Sequence, residues 1–286
     1  MPLFGAHFSI SGGLTKAVET AVRFECPTFQ LFTKNASQWA AKPLGEDEIK
    51  AFRSAVKAAK SKFVTAHDSY LINLASPADE LFQKSINAFV DELERAEALG
   101  ISYLVTHPGA HVGSGEEVGL ARIVVGLDEA MKRTAGFKVR VLLENVAGQG
   151  STLGHRFEHL AYMIENVAQP ERFGFCFDTC HAFAAGYDLS TAEGYAQTFG
   201  EFDRLVGLKQ LHAFHVNDSV KGLNSRVDRH AGLGLGKIGL GAFERLASDS
   251  RFAKRPMILE TPKESDEGIE MDPVNLTILR AFAGRL

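Results

Sequence analysis

Short apolar runs rich in β-branched and aromatic residues alternate with longer amphipathic stretches from one end of the chain to the other. The runs predict eight strands, at residues 4–9, 28–32, 63–67, 103–106, 139–144, 173–178, 211–216 and 257–261. Helical periodicity occupies the intervals, for example at 45–61, 81–99, 120–135, 157–167 and 195–205, and returns after the last strand at 273–282. Repeated βα units require a parallel sheet with right-handed crossovers. Eight of them in 286 residues predict an α/β fold, the closed (β/α)8 or TIM barrel, with an open doubly wound sheet as the alternative. No Pro/Ser-rich linker divides the chain, so residues 1–286 read as a single barrel domain.

The strand ends carry the chemistry. His67 closes the third strand, His107 follows the fourth, Glu144 ends the fifth and Asp178 the sixth, while His215 lies in the seventh and Glu260 in the eighth. In an α/β barrel all strand C-termini open onto one face, so these six side chains are expected to converge. A single His or carboxylate at a strand end is commonly structural or a helix cap; six in succession predict a site. Asp178 and His181 are three apart in FDTCH, and Asp228 and His230 are two apart in VDRH, where an extended loop points both the same way. Five histidines and four carboxylates are N/O ligands suited to zinc, with manganese and iron as other candidates. A catalytic zinc keeps about three protein ligands and an open position, so this set predicts two or three ions sharing a carboxylate.

The longest connection, residues 217–239, is rich in glycine and carries Lys221, Arg226, Asp228, Arg229, His230 and Lys237. A structureless stretch of that length is usually functional. Within it Gly234, Gly236 and Gly239 spell GxGxxG. That dinucleotide fingerprint requires a strand running directly into the glycines, which is missing, and it reads as a decoy. Cys26, Cys176 and Cys180 form no CxxC pair and no disulfide framework, and Cys180 reads as a packing residue. His155, His159 and His212 read as surface or packing residues. His111 is set aside because Pro108 and Gly109 break any helix joining it to His107, and His7 is expected behind the ligands.

With 45% hydrophobic and 23% charged residues the chain has globular composition, which excludes disorder, collagen and coiled coil. No apolar run reaches the roughly 18 residues of a membrane span, and residues 1–13 lack the features of a signal peptide, so a cytoplasmic location is expected. The formal charge of −4 does not exclude a nucleic-acid partner, because binding depends on where basic groups sit. Ions about 3.5 to 4 Å apart activate water and neutralise phosphate oxygens, which points to phosphoester hydrolysis. The alternative is a metal-dependent sugar isomerase or epimerase, which needs a dedicated Lys or His base. Metal-dependent binding without catalysis is the third class.

The segments HDSYLINLA, THPGAH, LENVAGQGS, FDTCHAFAAGYD, HVNDS, the SRVDRH to GLGLGKIG loop and LETP follow GAHFSISGG in order over nearly the whole chain. Together they resemble endonuclease IV, a xylose-isomerase-like TIM barrel. The resemblance implies a zinc-dependent AP endonuclease with three Zn2+ ions, Mn2+ serving at some positions. By it, His67 and His107 bind the first ion, Glu144 bridges to the second, Asp178, His215 and Glu260 complete the second, and His181, Asp228 and His230 hold the third. Glu144 is then the catalytic bridging ligand, orienting the hydroxide that attacks phosphorus in line.

The implied reaction is hydrolysis 5′ to an abasic site in duplex DNA, leaving a 3′-hydroxyl and a 5′-deoxyribose phosphate, with trimming of blocked 3′ ends. Three Zn2+ would raise the formal charge from −4 to +2. Lys34, Lys221, Arg226, Arg229 and Lys237 lie in loops on the same face and are expected at phosphates. Tyr70 and Leu71 are the expected wedges into the base stack, with Asn35 and Gln38 beside them. Neither a membrane nor an obligate protein partner is implied, and DNA would draw the protein to the nucleoid. One departure stands out: a member of the family it resembles carries an arginine in the segment after LFTKN, where this chain reads Ala36, Ser37, Gln38, Trp39. Ser37 cannot act as a long cationic wedge, so weaker DNA affinity or compensation elsewhere is expected.

Overall fold

In the computed structural model, which describes residues 2–284, the eight apolar runs are eight parallel strands. They are β1 (Leu3–Ala6), β2 (Gln30–Phe32), β3 (Thr65–His67), β4 (Tyr103–Thr106), β5 (Arg140–Glu144), β6 (Phe173–Asp178), β7 (Leu211–His215) and β8 (Pro256–Leu259). Met1, Arg285 and Leu286 of the expected domain lie outside the described residues. The strands pair in the order β1-β8-β7-β6-β5-β4-β3-β2. The two ends meet where His7 bridges Gln30 in parallel register and the Phe8 amide donates to the Gln30 carbonyl at 2.8 Å. That contact closes the barrel and excludes the open doubly wound sheet.

Among the described residues nine α-helices wrap the barrel: α1 (Leu14–Arg23), α2 (Glu46–Ala58), α3 (Asp79–Leu99), α4 (Glu116–Arg133), α5 (Phe157–Asn166), α6 (Thr179–Ala185), α7 (Ala192–Leu205), α8 (Leu240–Ser248) and α9 (Met271–Phe282). The seven residues of α6 are too few to display a period, and α6 starts because the Asp178 carboxylate accepts the His181 amide proton at 2.7 Å as its N-cap. None of these helices is long and apolar enough to cross a membrane.

Alternation along each strand explains why the chemistry gathers at one end. Val105, Leu142, Cys176 and Ala213 form a small buried cluster as the floor of the barrel interior. Two residues further along the chain, and so on the same face, stand His107, Glu144, Asp178 and His215. The intervening Phe177 and Phe214 point outward and pack with Phe199, Phe202 and Phe252. Each fully buried Phe contributes about 2–3 kcal/mol of apolar burial.

The phase of β7 depends on one irregularity. Phe175 pairs with Leu211 but Cys176 pairs with Ala213, so His212 is an extra residue, and beyond it Asp178 lies level with His215. Without that bulge Asp178 would lie level with outward-facing Phe214. Arg140 holds the extra residue in place through a 2.9 Å contact with the His212 Nε2. Burial, with the charges of Arg140 and Arg255, pulls the His212 pKa down to about 4, so its ring is a neutral acceptor.

The long 217–239 connection is partly ordered as a ribbon. Asp218–Ser219 pairs antiparallel with His230–Ala231, and Ser219 lies opposite His230. The ribbon carries His230 back over the mouth of the barrel.

Candidate metal centre

Nine side chains converge at the C-terminal end of the barrel, and Glu144 stands at their centre. Its Oε2 lies 3.3 Å from His67 Nε2 and 3.4 Å from His107 Nε2. Its Oε1 lies 3.0 Å from His215 Nδ1 and 3.1 Å from His181 Nδ1. His215 Nδ1 also faces Glu260 Oε2 at 3.2 Å and Asp178 Oδ2 at 4.0 Å. On the outer side His181 Nε2 meets Asp228 Oδ2 at 3.1 Å, while His230 Nε2 lies 3.4 Å from Asp228 Oδ1 and 3.7 Å from Asp178 Oδ2. His67, Glu144, Asp178, His181 and His215 are buried, whereas His107, Asp228, His230 and Glu260 are partly exposed at the mouth.

Ligand atoms close enough to share an ion form four groups among the described residues. Two match the expected sets: His67, His107 and Glu144, and then Glu144, Asp178, His215 and Glu260. The expected third set is divided. Asp178 joins His181 and His230 in one group, while Asp228 joins His230 and Cys180 in another, although Asp228 touches both histidines through separate oxygens. The Cys180 thiol donates to the Arg229 carbonyl at 3.6 Å, and burial pushes its pKa up to about 12, so it is a neutral thiol.

The histidines are set up as ligands from behind. His67 Nδ1 contacts the Asp68 carbonyl at 2.9 Å, His181 Nδ1 the Asn145 carbonyl at 2.9 Å, and His230 Nδ1 the Glu260 carbonyl at 3.2 Å. A carbonyl only accepts, so Nδ1 donates and the Nε2 lone pair turns toward the cluster in each neutral ring. His230 Nε2 is buried without a hydrogen bond, as a ligand atom awaiting a cation would be. Divalent metal ions fit this donor set, which is all imidazole and carboxylate.

Without a cation the cluster is held by proton sharing. Burial lowers the affinity of His67 for a proton, but the Glu144 hydrogen bond and charge, with Asp68 and Glu260, outweigh it and push the pKa up to about 9. His181 and His215 are raised well above the usual range against the same burial, the first chiefly by Asp178 and the second by Cys176 and Glu144. Burial opposes ionisation of Glu144 and Asp228 too. The facing imidazoles nevertheless hold Glu144 well below the usual carboxylate range and bring Asp228 to about 2. A bound cation would replace those protons.

Four further residues support the centre, and the sequence pattern did not single them out. Asn145 donates to the Asp178 carbonyl at 3.0 Å and accepts from the Asp178 amide at 2.8 Å. Asn217 donates to the Asp178 carboxylate at 2.7 Å and accepts from the Glu260 amide at 2.8 Å. Asp68 accepts from the Thr106 hydroxyl at 2.6 Å behind His67. Gln30 touches His215, Glu260 and His7. Three of them follow a ligand in the chain by one or two positions, and that adjacency was the available signal. His7 does lie behind the ligands, with Nδ1 3.5 Å from Glu260.

Around the mouth, Tyr70 is 61% exposed and its ring stands 5.3 Å from that of His67 and 5.9 Å from that of His107. Leu71 is half-buried beside it. The Ser69 hydroxyl donates to the Ala36 carbonyl at 2.6 Å, tying this loop to the one that carries exposed Asn35 and Gln38. Lys221, Arg226, Arg229 and Lys237 are all exposed at the surface of the loop. Lys34 is the correction: its ammonium is buried 2.5 Å from Asp91 and 3.1 Å from Glu92, on α3, and is not offered to a phosphate. The glycine decoy also resolves. The amides of Gly234 and Gly236 donate to Asp218 Oδ2 at 3.0 and 3.1 Å, and that of Ile238 donates to Oδ1 at 2.9 Å, so the anion in this loop is the chain's own carboxylate.

Residues 18–277 match the family described as xylose isomerase-like TIM barrel. A relative from Chloroflexus aurantiacus, named probable endonuclease 4, is 53% identical over 99% of this chain and 98% of its own. Endonuclease IV from Thermus thermophilus superposes with a TM-score of 0.87 at 38% identity, covering 100% of both chains. A D-tagatose 3-epimerase-like protein superposes with a TM-score of 0.73 at 19% identity over 98% of this chain and 97% of its own, a likeness of fold alone.

Proposed function

Because the chain belongs to the endonuclease IV family of xylose isomerase-like TIM barrels, we infer that the centre at its mouth cleaves DNA for repair. The protein is an AP endonuclease, a DNA-cleaving hydrolase. We propose that its substrate is duplex DNA with an abasic site or a blocked 3′ end. Cleavage falls 5′ to the abasic site and leaves a 3′-hydroxyl and a 5′-deoxyribose phosphate.

The proposed cofactor is Zn2+, three ions per chain. His67, His107 and Glu144 would hold the first, with Glu144, Asp178, His215 and Glu260 around the second. His181, Asp228 and His230 would hold the third, with Asp178 close by. The supporting observation is the division of Glu144, whose two oxygens face different imidazoles, His67 and His107 on one side and His215 and His181 on the other. Bound there, the ions would supply an activated water and positive charge against the phosphate oxygens. The chain's own work is to hold Glu144 ionised between its histidines and to fix each ligand's free nitrogen.

In this reading Tyr70 and Leu71 enter the gap left by the missing base, and Asn35 and Gln38 stand on the neighbouring loop. Arg226 and Arg229 meet the backbone phosphates, with Lys221 and Lys237 beside them. Nothing in the reading requires a membrane or an obligate protein partner, and DNA itself would hold the enzyme at the nucleoid.

The test is cleavage of a labelled duplex containing one tetrahydrofuran abasic analogue, beside an intact duplex and a reaction after prolonged chelation. Nicking on the 5′ side that disappears with the metals is expected. No nicking by metal-replete protein would sink the proposal and turn attention to sugar epimerisation.

A further inference from the structure

Gln30 opens β2, is fully buried, and serves the barrel twice. Its backbone makes the seam with β1, and its side chain lies beneath the metal centre. The amide nitrogen lies 2.6 Å from Glu260 Oε1 and 3.0 Å from His7 Nδ1, and the amide oxygen lies 2.8 Å from His215 Nε2. This orientation is forced. An ionised carboxylate only accepts, and turning the amide over would set two oxygens against each other at the Glu260 contact.

With the amide oxygen facing His215, the imidazole must carry its proton on Nε2. Its Nδ1 is then the atom that looks toward Glu144, Glu260 and Asp178. His67, His181 and His230 have the opposite arrangement, each donating from Nδ1 to a backbone carbonyl. Their tautomers are locked by main chain, which substitution leaves in place. The tautomer of His215 is locked by one side chain 185 positions away.

We propose that Gln30 is the positioning residue of the second metal position, fixing the tautomer of His215 and the orientation of Glu260 so that both face one ion. The inference rests on the metal reading of the centre. Gln30 touches two ligands on different strands, His215 on β7 and Glu260 at the end of β8, so a single amide sets both. Removing an outer partner of a metal ligand typically costs about 10–100-fold in affinity.

The experiment compares metal-replete wild type with Gln30→Met, which has similar length and no amide. Ion content is followed through a chelator titration, the His215 ring by long-range 1H–15N spectra, and activity on the abasic duplex as separate kcat and KM. The variant is expected to release one ion at about 10–100-fold lower chelator strength and to lose the Nε2–H signal of His215. Its kcat should fall while KM stays unchanged, because no DNA-facing loop is touched. Should Gln30→Met fail to fold, Gln30→Asn, whose amide is withdrawn by one methylene, carries the same expectation. A variant that keeps both the wild-type chelator profile and the Nε2–H signal overturns the role of Gln30 alone. Wild type that binds no ion overturns the metal reading and the inference with it.

Discussion

Asn217 holds Asp178 by its carboxylate, 2.7 Å from amide to oxygen, and the same side chain receives the Glu260 amide at 2.8 Å. One neutral residue therefore ties the ends of β6 and β8 across β7. Asn217→Ala should leave a buried carboxylate oxygen and a backbone N–H short of partners, at a cost of about 1–3 kcal/mol each. The expected outcome is a lower unfolding midpoint and about 10–100-fold weaker metal retention. Denaturant titration and metal analysis after chelator challenge check it, and full retention of metal would show that Asp178 needs no such support.

The buried Lys34 predicts an effect on stability where the sequence alone predicts one on DNA. Its ammonium pairs with Asp91 and Glu92, and Glu92 also accepts from the Thr33 hydroxyl at 2.7 Å, which in turn accepts from Arg95 at 3.1 Å. Lys34→Met leaves the buried Glu92 charge unpaired and should cost about 3 kcal/mol. The salt dependence of DNA binding should stay unchanged, whereas exposed Arg229→Ala should lower the slope of log K against log salt by about one. Binding measured across a salt series separates the two, and a reduced slope for Lys34→Met would place that lysine at a phosphate after all.

The contrast between Lys34 and the metal centre shows what the sequence could carry. The strand-end residues were legible because two simple periods, one along each strand and one in the βα repeat, put them on one face of the barrel. Lys34 has its partner Asp91 57 positions away on α3, and nothing local distinguishes it from a solvated loop lysine. A still longer separation hides Gln30, an uncharged strand residue whose partner His215 lies 185 positions away. The bulge at His212, which brings His215 to the level of Asp178, leaves no composition signal at all. The GxGxxG loop misleads for the opposite reason: its pattern is real and Gly239 does precede α8, but Asp218 already occupies its amides.

Ser37, at the position where the resemblance led to the expectation of an arginine, stands exposed, with its amide bonded to Asn35 Oδ1 at 2.9 Å. The turn therefore exists without the cationic side chain, and the loop is held by Ser69 to the one that bears Tyr70. Ser37→Arg should tighten binding to an abasic duplex several-fold, roughly 1 kcal/mol for one added phosphate or base contact, and leave the cleavage position unchanged. Equal affinity of the two proteins, measured by titration of labelled duplex at fixed salt, would show that another residue already fills that role.

The proton-sharing cluster predicts a pH dependence that the metal should erase. His67 is raised from 6.5 to about 9 in the folded chain, so its contribution to the metal-free protein is complete below pH 6.5 and disappears as pH climbs to 9. At 1.36 kcal/mol per unit this amounts to about 3 kcal/mol at most. Asp228 works at the other end: brought to about 2, it stabilises above pH 3.8 and stops doing so as pH falls toward 2. Thermal unfolding of chelated protein should therefore weaken from pH 6.5 to 9, and the zinc-loaded protein should not, since its imidazoles would already be neutral. Zinc uptake near pH 7.5 should accordingly release protons, visible as a dependence of the calorimetric heat on the ionisation enthalpy of the buffer. A binding heat that is identical in all buffers would mean that the histidines face the carboxylates already deprotonated.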